Sequence, residues 1–324
     1  MTLIMPKPKQ IVMGVLALAF IVQIGIVVFA SITARQFTGV RLSDTKYSEV
    51  FFHNDVQSID LAGMLFIPEG EGPFPGAVII HGSGPSMRAN GWYITLVKHL
   101  QDSGIAVLLP DKRGSEKSGG EWRNADYEDL STDTIAALNF LRNESELPIS
   151  QFGIVGMSEG GKYSSLAATM DGNLDFVVNV VGSAVLPKEQ LQFEENYNLQ
   201  QMGIPPGISY LVALMSTAHI RHIREPEFWS KVSDFDPNFY WGKLDVRSLI
   251  LYGEDDTNVP SRESERRLAA LENPNIRVIV YRDSGHALED PPSQGNSIFR
   301  AEALNEISRF ILLNTRPGTD HVLF

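Results

Sequence analysis

The chain has 324 residues, of which 43% are hydrophobic and 20% charged. That apolar share excludes a disordered chain, and a net charge of −12 argues against a non-specific nucleic-acid binder. Cysteine is absent, which excludes disulfides, thiolate nucleophiles and cysteine-ligated metal sites.

Residues 11–30, IVMGVLALAFIVQIGIVVFA, carry no charge. At about 1.5 Å per residue this stretch covers a hydrocarbon core of about 30 Å, so a single transmembrane anchor is predicted. Lys7 and Lys9 precede it, which predicts residues 1–10 in the cytoplasm and the rest on the far side. The alternative is a signal peptide cut near Val28-Phe29-Ala30, with a secreted product. Residues 31–46 read as a linker and 47–324 as one domain.

Two β-like stretches, SEVFFH and IDLAGMLFIP, open that domain between Tyr47 and Pro68. From Pro73 onward, short Val- and Ile-rich runs alternate with helical patterns. The runs are Gly76 to Ile80, Ile105 to Leu109, Phe152 to Met157, Phe176 to Val181, Val246 to Tyr252 and Ile276 to Tyr281. Apolar runs this short, without polar alternation, suit strands buried on both faces of a parallel sheet. Strand–helix alternation predicts a mostly parallel, doubly wound α/β fold. Residues 187–244 interrupt it with helix formers and no clear strand, and they read as a helical cap inserted between two strands.

The chemistry is concentrated at Gly156-Met157-Ser158-Glu159-Gly160, a G-x-S-x-G motif between an apolar strand and a helical run. A sharp strand-to-helix turn there exposes a serine hydroxyl at the carboxyl end of a sheet. Gly156 and Gly160 stand where a Cβ would collide. A serine needs a base and an orienting acid. His286, in a loop after the strand Ile276 to Tyr281, is the candidate base. The candidate acid lies in Gly253-Glu254-Asp255-Asp256, after the strand Val246 to Tyr252. Asp256 has the preferred spacing, followed by Asp255 and then Glu254. The glycine-rich turn His81-Gly82-Ser83-Gly84-Pro85 predicts an oxyanion hole in which the Ser83 amide joins that of Glu159. His81 and Arg113 are expected to be structural. His219, Arg221, His222 and Arg224 read as surface charge in the insertion, or as a spot for an anionic leaving group. No cofactor and no metal are expected.

HGSGP, DKRGSEKSGG (Asp111 to Gly120), GMSEGG, GEDDTNVP and DSGH together resemble the bacterial α/β-hydrolases related to serine aminopeptidases and dienelactone-hydrolase-like esterases. The resemblance spans residue 48 to the C-terminus. It implies the α/β-hydrolase fold, a lid role for the insertion, and Ser158, Asp256 and His286 as nucleophile, acid and base. A common form has His before the nucleophile; Met157 stands there in this chain and alters none of these roles. The expected activity is hydrolysis of a carboxylic ester of a small-molecule acyl substrate through an acyl-enzyme. Peptide or amide cleavage, acyl transfer, and a non-catalytic binding scaffold are the alternatives.

Overall fold

The computed structural model describes residues 37–143 and 146–313. The expected anchor at 11–30, the segment before it and the C-terminal tail with His321 lie outside these residues. No helix among the described residues is long and apolar enough to cross a membrane.

Eight strands form one sheet: β1 Ser48–Asn54, β2 Ile59–Phe66, β3 Phe74–Ile80, β4 Ala106–Pro110, β5 Ile149–Met157, β6 Phe176–Val180, β7 Ser248–Gly253 and β8 Ile276–Tyr281. Their spatial order is β1-β2-β4-β3-β5-β6-β7-β8. β1 and β2 pair antiparallel, as do β2 and β4, and every other pairing is parallel. Each apolar run predicted as a parallel strand forms one. β3, β6 and β7 are buried throughout, because helices cover both faces of a parallel sheet. β1 instead alternates exposed and buried toward its end, as an edge strand with one wet face should.

The covering helices are α1 Gly91–Asp102, α2 Tyr127–Asn143, α3 Glu159–Asp171, α8 Ser261–Ala269 and α9 Ala301–Leu312. α1 and α9 cover one face, with Ile94, Leu96, Val97, Leu100, Ile307 and Ile311 fully buried against β3, β4 and β7. α2, α3 and α8 cover the other, through Leu138, Leu141, Tyr163, Leu166 and Leu268. The sheet therefore lies between two apolar layers, and its carboxyl edge is left for loops.

Between β6 and β7 the insertion forms α4 Pro187–Gln201, α5 Pro206–His219, α6 Pro226–Val232 and α7 Pro237–Trp241, with a π-helical turn at Ile220–Arg224. Each of the four helices opens on a proline. Proline is favoured there because its fixed φ suits a helix start and the missing N–H would have no intrahelical acceptor. The described part of the expected linker is docked rather than loose. The Thr38 amide donates to Asn296 O (2.7 Å), the Ile298 amide to Thr38 O (2.8 Å), and the Val40 amide to Thr95 Oγ1 (2.9 Å). These bonds attach the entering chain to the loop before α9 and to the first turns of α1.

Candidate active site

Ser158 sits between the last residue of β5 and the first of α3, at φ 54° and ψ −120°. The turn is tight enough that a Cβ on Gly156 would lie 2.4 Å from Gly160 O, and one on Gly160 would lie 2.3 Å from Ile80 O. Only glycine fits at either position. The Ser158 amide donates to Val180 O (2.8 Å), which ties the turn to β6.

His286 lies in the loop between β8 and α9, 128 residues from Ser158 in sequence, yet its Nε2 accepts from Ser158 Oγ at 2.9 Å. Its Nδ1 donates to Asp256 Oδ2 at 2.8 Å. The Asp256 side chain is fully buried, and its other oxygen accepts from the amides of Asn258 (2.8 Å) and Val259 (2.9 Å). That leaves its carboxylate satisfied and immobile, pointing at the ring. The neighbouring acids do not reach the ring: Glu254 pairs with Arg262 at 2.5 Å, and Asp255 is exposed, its amide donating to Ser284 O. The acid loop and base loop approach so closely that a Cβ on Gly253 would lie 2.2 Å from Gly285 O. Trp92 secures the base loop from α1: its Nε1 donates to Ala287 O at 3.0 Å, and its ring lies 5.8 Å from that of His286.

Burial works against charge on His286, but Asp256, Glu194 and Glu289 outweigh it and raise its pKa. His81 is driven the other way, down to about 4, chiefly by burial. Its Nε2 donates to Pro110 O (2.8 Å), so it is a neutral strut of the turn.

The turn after β3 faces the elbow. A Cβ on Gly82 would lie 3.1 Å from the Ser158 Cβ, and Gly84 adopts φ 79°. The Gly82 amide is engaged by Tyr93 Oη at 2.8 Å, so it cannot also serve an oxyanion. Ser83, the next residue, lies beside the cavity over the elbow. Glu159 is the first residue of α3, where the amide has no intrahelical acceptor and the helix dipole favours negative charge.

Several residues of the site escape motif reading. Lys112, just after β4, is buried, and its Nζ donates to Gly82 O (2.9 Å) and to Glu159 Oε2 (3.0 Å). It therefore spans the two chain segments expected to supply the oxyanion amides. Tyr127 Oη also donates to Glu159 (3.4 Å). The signal available in the sequence was the charged run Asp111-Lys112-Arg113 directly after a buried strand. Its neighbours are also paired: Arg88 forms two bonds to Asp111 through Nε and one through Nη2, while Arg113 is clamped on Asp133 at 2.6 and 2.9 Å. Arg113 is thus structural, below the site.

The insertion roofs the site. A cavity of about 280 Å³ opens beside the elbow, lined by Ser83, Gly84, Trp122, Lys162, Glu194 and Trp229 among others. Glu194, on α4, accepts from Asn258 Nδ2 (3.2 Å). Burial, with Glu195 and Asp256 nearby, pushes its carboxyl up to about 7 against the pull of His286 and Lys162. Lys162 is buried on α3 and is pushed down to about 8, with Glu159 and Glu194 opposing that shift. His219, Arg221, His222 and Arg224 lie at the end of α5 and in the π-helical turn, and none of them lines this cavity. A larger cleft of about 410 Å³, lined by Lys46, Glu69, Lys98 and Asp102, contains no residue of the site.

Comparison with known proteins gives the family and the fold. The family model described as BAAT / Acyl-CoA thioester hydrolase C terminal matches residues 135–306, just over half of the chain. An esterase, EstD of Thermotoga maritima, is 24% identical over 265 residues, covering 78% of this chain and 63% of its own length. The mouse acyl-coenzyme A thioesterase 3 is 26% identical over 247 residues, covering 70% of this chain and 50% of that protein. The chain thus spans about half to two thirds of the length of these relatives. The solved structure of an esterase from Pyrococcus furiosus superposes with a TM-score of 0.60 at 18% identity, covering 86% of this chain and 95% of that one.

Proposed function

The chain belongs to the BAAT / Acyl-CoA thioester hydrolase C-terminal family, as a hydrolase of the α/β-hydrolase superfamily, and from that premise we propose that it cleaves carboxylic esters or thioesters through an acyl-enzyme on Ser158. The observation that carries this reading is the continuous relay from Asp256 to His286 to Ser158, at 2.8 and 2.9 Å. In it, His286 takes the Ser158 proton as Oγ attacks the acyl carbon, and a tetrahedral intermediate forms. Its oxyanion is held by the Ser83 and Glu159 amides, with Lys112 keeping their two segments in register. Asp256 keeps the imidazole tautomer correct and stabilises the imidazolium. The alcohol or thiol leaves with the proton from His286. Water, deprotonated by His286, then attacks the acyl carbon and releases the acid and Ser158.

Two relatives support the bonds named, one an esterase and one an acyl-coenzyme A thioesterase. A fluorophosphonate probe should label the wild-type chain and lose its label in Ser158→Ala. That variant should also lose turnover by at least about a thousandfold while unfolding at an unchanged temperature. Labelling that persists in the folded Ser158→Ala variant would sink the assignment. A panel of p-nitrophenyl esters, acyl thioesters and aminoacyl anilides separates ester, thioester and peptide cleavage by kcat/KM.

A further inference from the structure

Helix α5 is inside out. Its buried residues are Ser209, Ala213, Ser216 and Thr217, all small. The hydroxyls turn inward to side chains of α4: Ser209 to Asn196 (2.7 Å), Ser216 to Glu195 (2.6 Å) and Thr217 to Gln192 (2.9 Å). The large apolar residues face out. Ile208, Tyr210, Leu211, Leu214 and Met215 are between 42% and 61% exposed. At about 100° per residue these five fall within one arc of about 160°. Single exposed apolar residues are ordinary, but a continuous stripe marks a contact surface.

Two further observations identify what meets the stripe. The first is where the chain enters the domain. Thr38 is paired with Ser297 and its neighbours, and Val40 with Thr95. These contacts lie at the carboxyl end of the sheet, the end that carries His286 and the insertion. The second is what precedes that entry. Residues 11–30 are uncharged and apolar, and only six residues lie between Ala30 and Phe37, a reach of about 25 Å when extended. A bilayer holding residues 11–30 would lie within that reach of the carboxyl end of the sheet, the end that carries the insertion and α5.

We propose that the outward face of α5 rests in the interface of the lipid bilayer that residues 11–30 are expected to enter, so that the roof of the active site is itself a membrane contact. Beyond the C-terminal end of the stripe, Arg221 and Arg224 are offset by Glu225 and Glu227, with Arg224 3.7 Å from Glu225. The contact is therefore apolar rather than electrostatic, and it needs no anionic headgroup.

The absence of cysteine makes this directly measurable on the full chain. Leu211→Cys and, as an independent second site, Leu214→Cys each carry one environment-sensitive fluorophore. Met170→Cys, exposed on the last turn of α3 at the opposite end of the sheet, is the reference. Each protein is reconstituted in phosphatidylcholine vesicles whose acyl chains are brominated near the headgroup. The expected result is a blue shift and loss of emission at 211 and 214 and no loss at 170, unchanged by added salt. Unquenched probes at 211 and 214, equal quenching at 170, failure of the chain to bind vesicles, or energy transfer between copies that survives dilution in lipid would each overturn the proposal. The last would make a second copy the occupant. None of these readouts depends on Ser158 chemistry, so they stand or fall apart from the proposed activity.

Discussion

Ser158 holds a backbone conformation that costs a non-glycine residue about 1–3 kcal/mol, and the surrounding contacts keep it there. Two consequences are testable at single residues. His286 must be neutral to accept the Ser158 proton. Burial alone would lower its pKa, but its carboxylate neighbours raise it above the ordinary 6.5. The active form is then lost as pH falls, and kcat/KM should rise with pH through an apparent pKa above 6.5. A profile that falls across that region would contradict His286 as the base. Lys112 is the second case. Its side chain is 5% exposed and that of its Glu159 partner 11%, so Lys112→Met leaves a buried carboxylate without its bonded cation. The expected loss is about 3–5 kcal/mol in denaturant unfolding. Lys112→Met combined with Glu159→Gln should recover part of that stability but not the activity, because Gly82 O remains unheld.

At the scale of the element, the elbow and the helix after it act as one wedge between β3 and β5. Gly160→Ala puts a methyl 2.3 Å from Ile80 O and 2.7 Å from His81 O, both backbone atoms that cannot swing aside. α3 must retreat from the end of β3, costing about 1–3 kcal/mol. Because His81 leads into the turn proposed to hold the oxyanion, kcat should fall more than KM rises; an unaltered kcat would show that the wedge is slack. Motif spacing reveals part of this, because the contact of Gly156 with Gly160 lies within G-x-S-x-G, whereas that of Gly160 with Ile80 needs the closed sheet. The helical character of 187–244 is also visible, and so is its punctuation by Pro187, Pro206, Pro226 and Pro237. The outward stripe of α5 is not, since a helix with Leu and Ile on one face ordinarily buries it. Only packing shows that the small polar face went inward instead.

The whole molecule is closed by contacts between segments distant in sequence. Arg247, just before β7, donates to Asp175 O (3.1 Å), Ile311 O (3.2 Å) and Phe310 O, and to Gln151 Oε1 (3.2 Å). It joins the amino end of the sheet to α9, the last described helix. Arg247→Met keeps much of the apolar stem but orphans those acceptors, and should lower stability by about 2–3 kcal/mol in thermal or denaturant unfolding. Loss of only a few tenths would mean that α9 is held by its apolar face alone. Composition and short-range pattern by themselves determine the alternation of strand and helix, the nucleophile turn, and the chain order of Ser158, Asp256 and His286. Those features obey rules that act over a few residues: burial periodicity, glycine sterics and proline geometry. Spacing already prefers Asp256 over Asp255 and Glu254, whereas recruiting Lys112 and turning α5 outward depend on groups tens of residues apart in the chain. Their distances exist only after the sheet has closed, so only the tertiary structure could decide them.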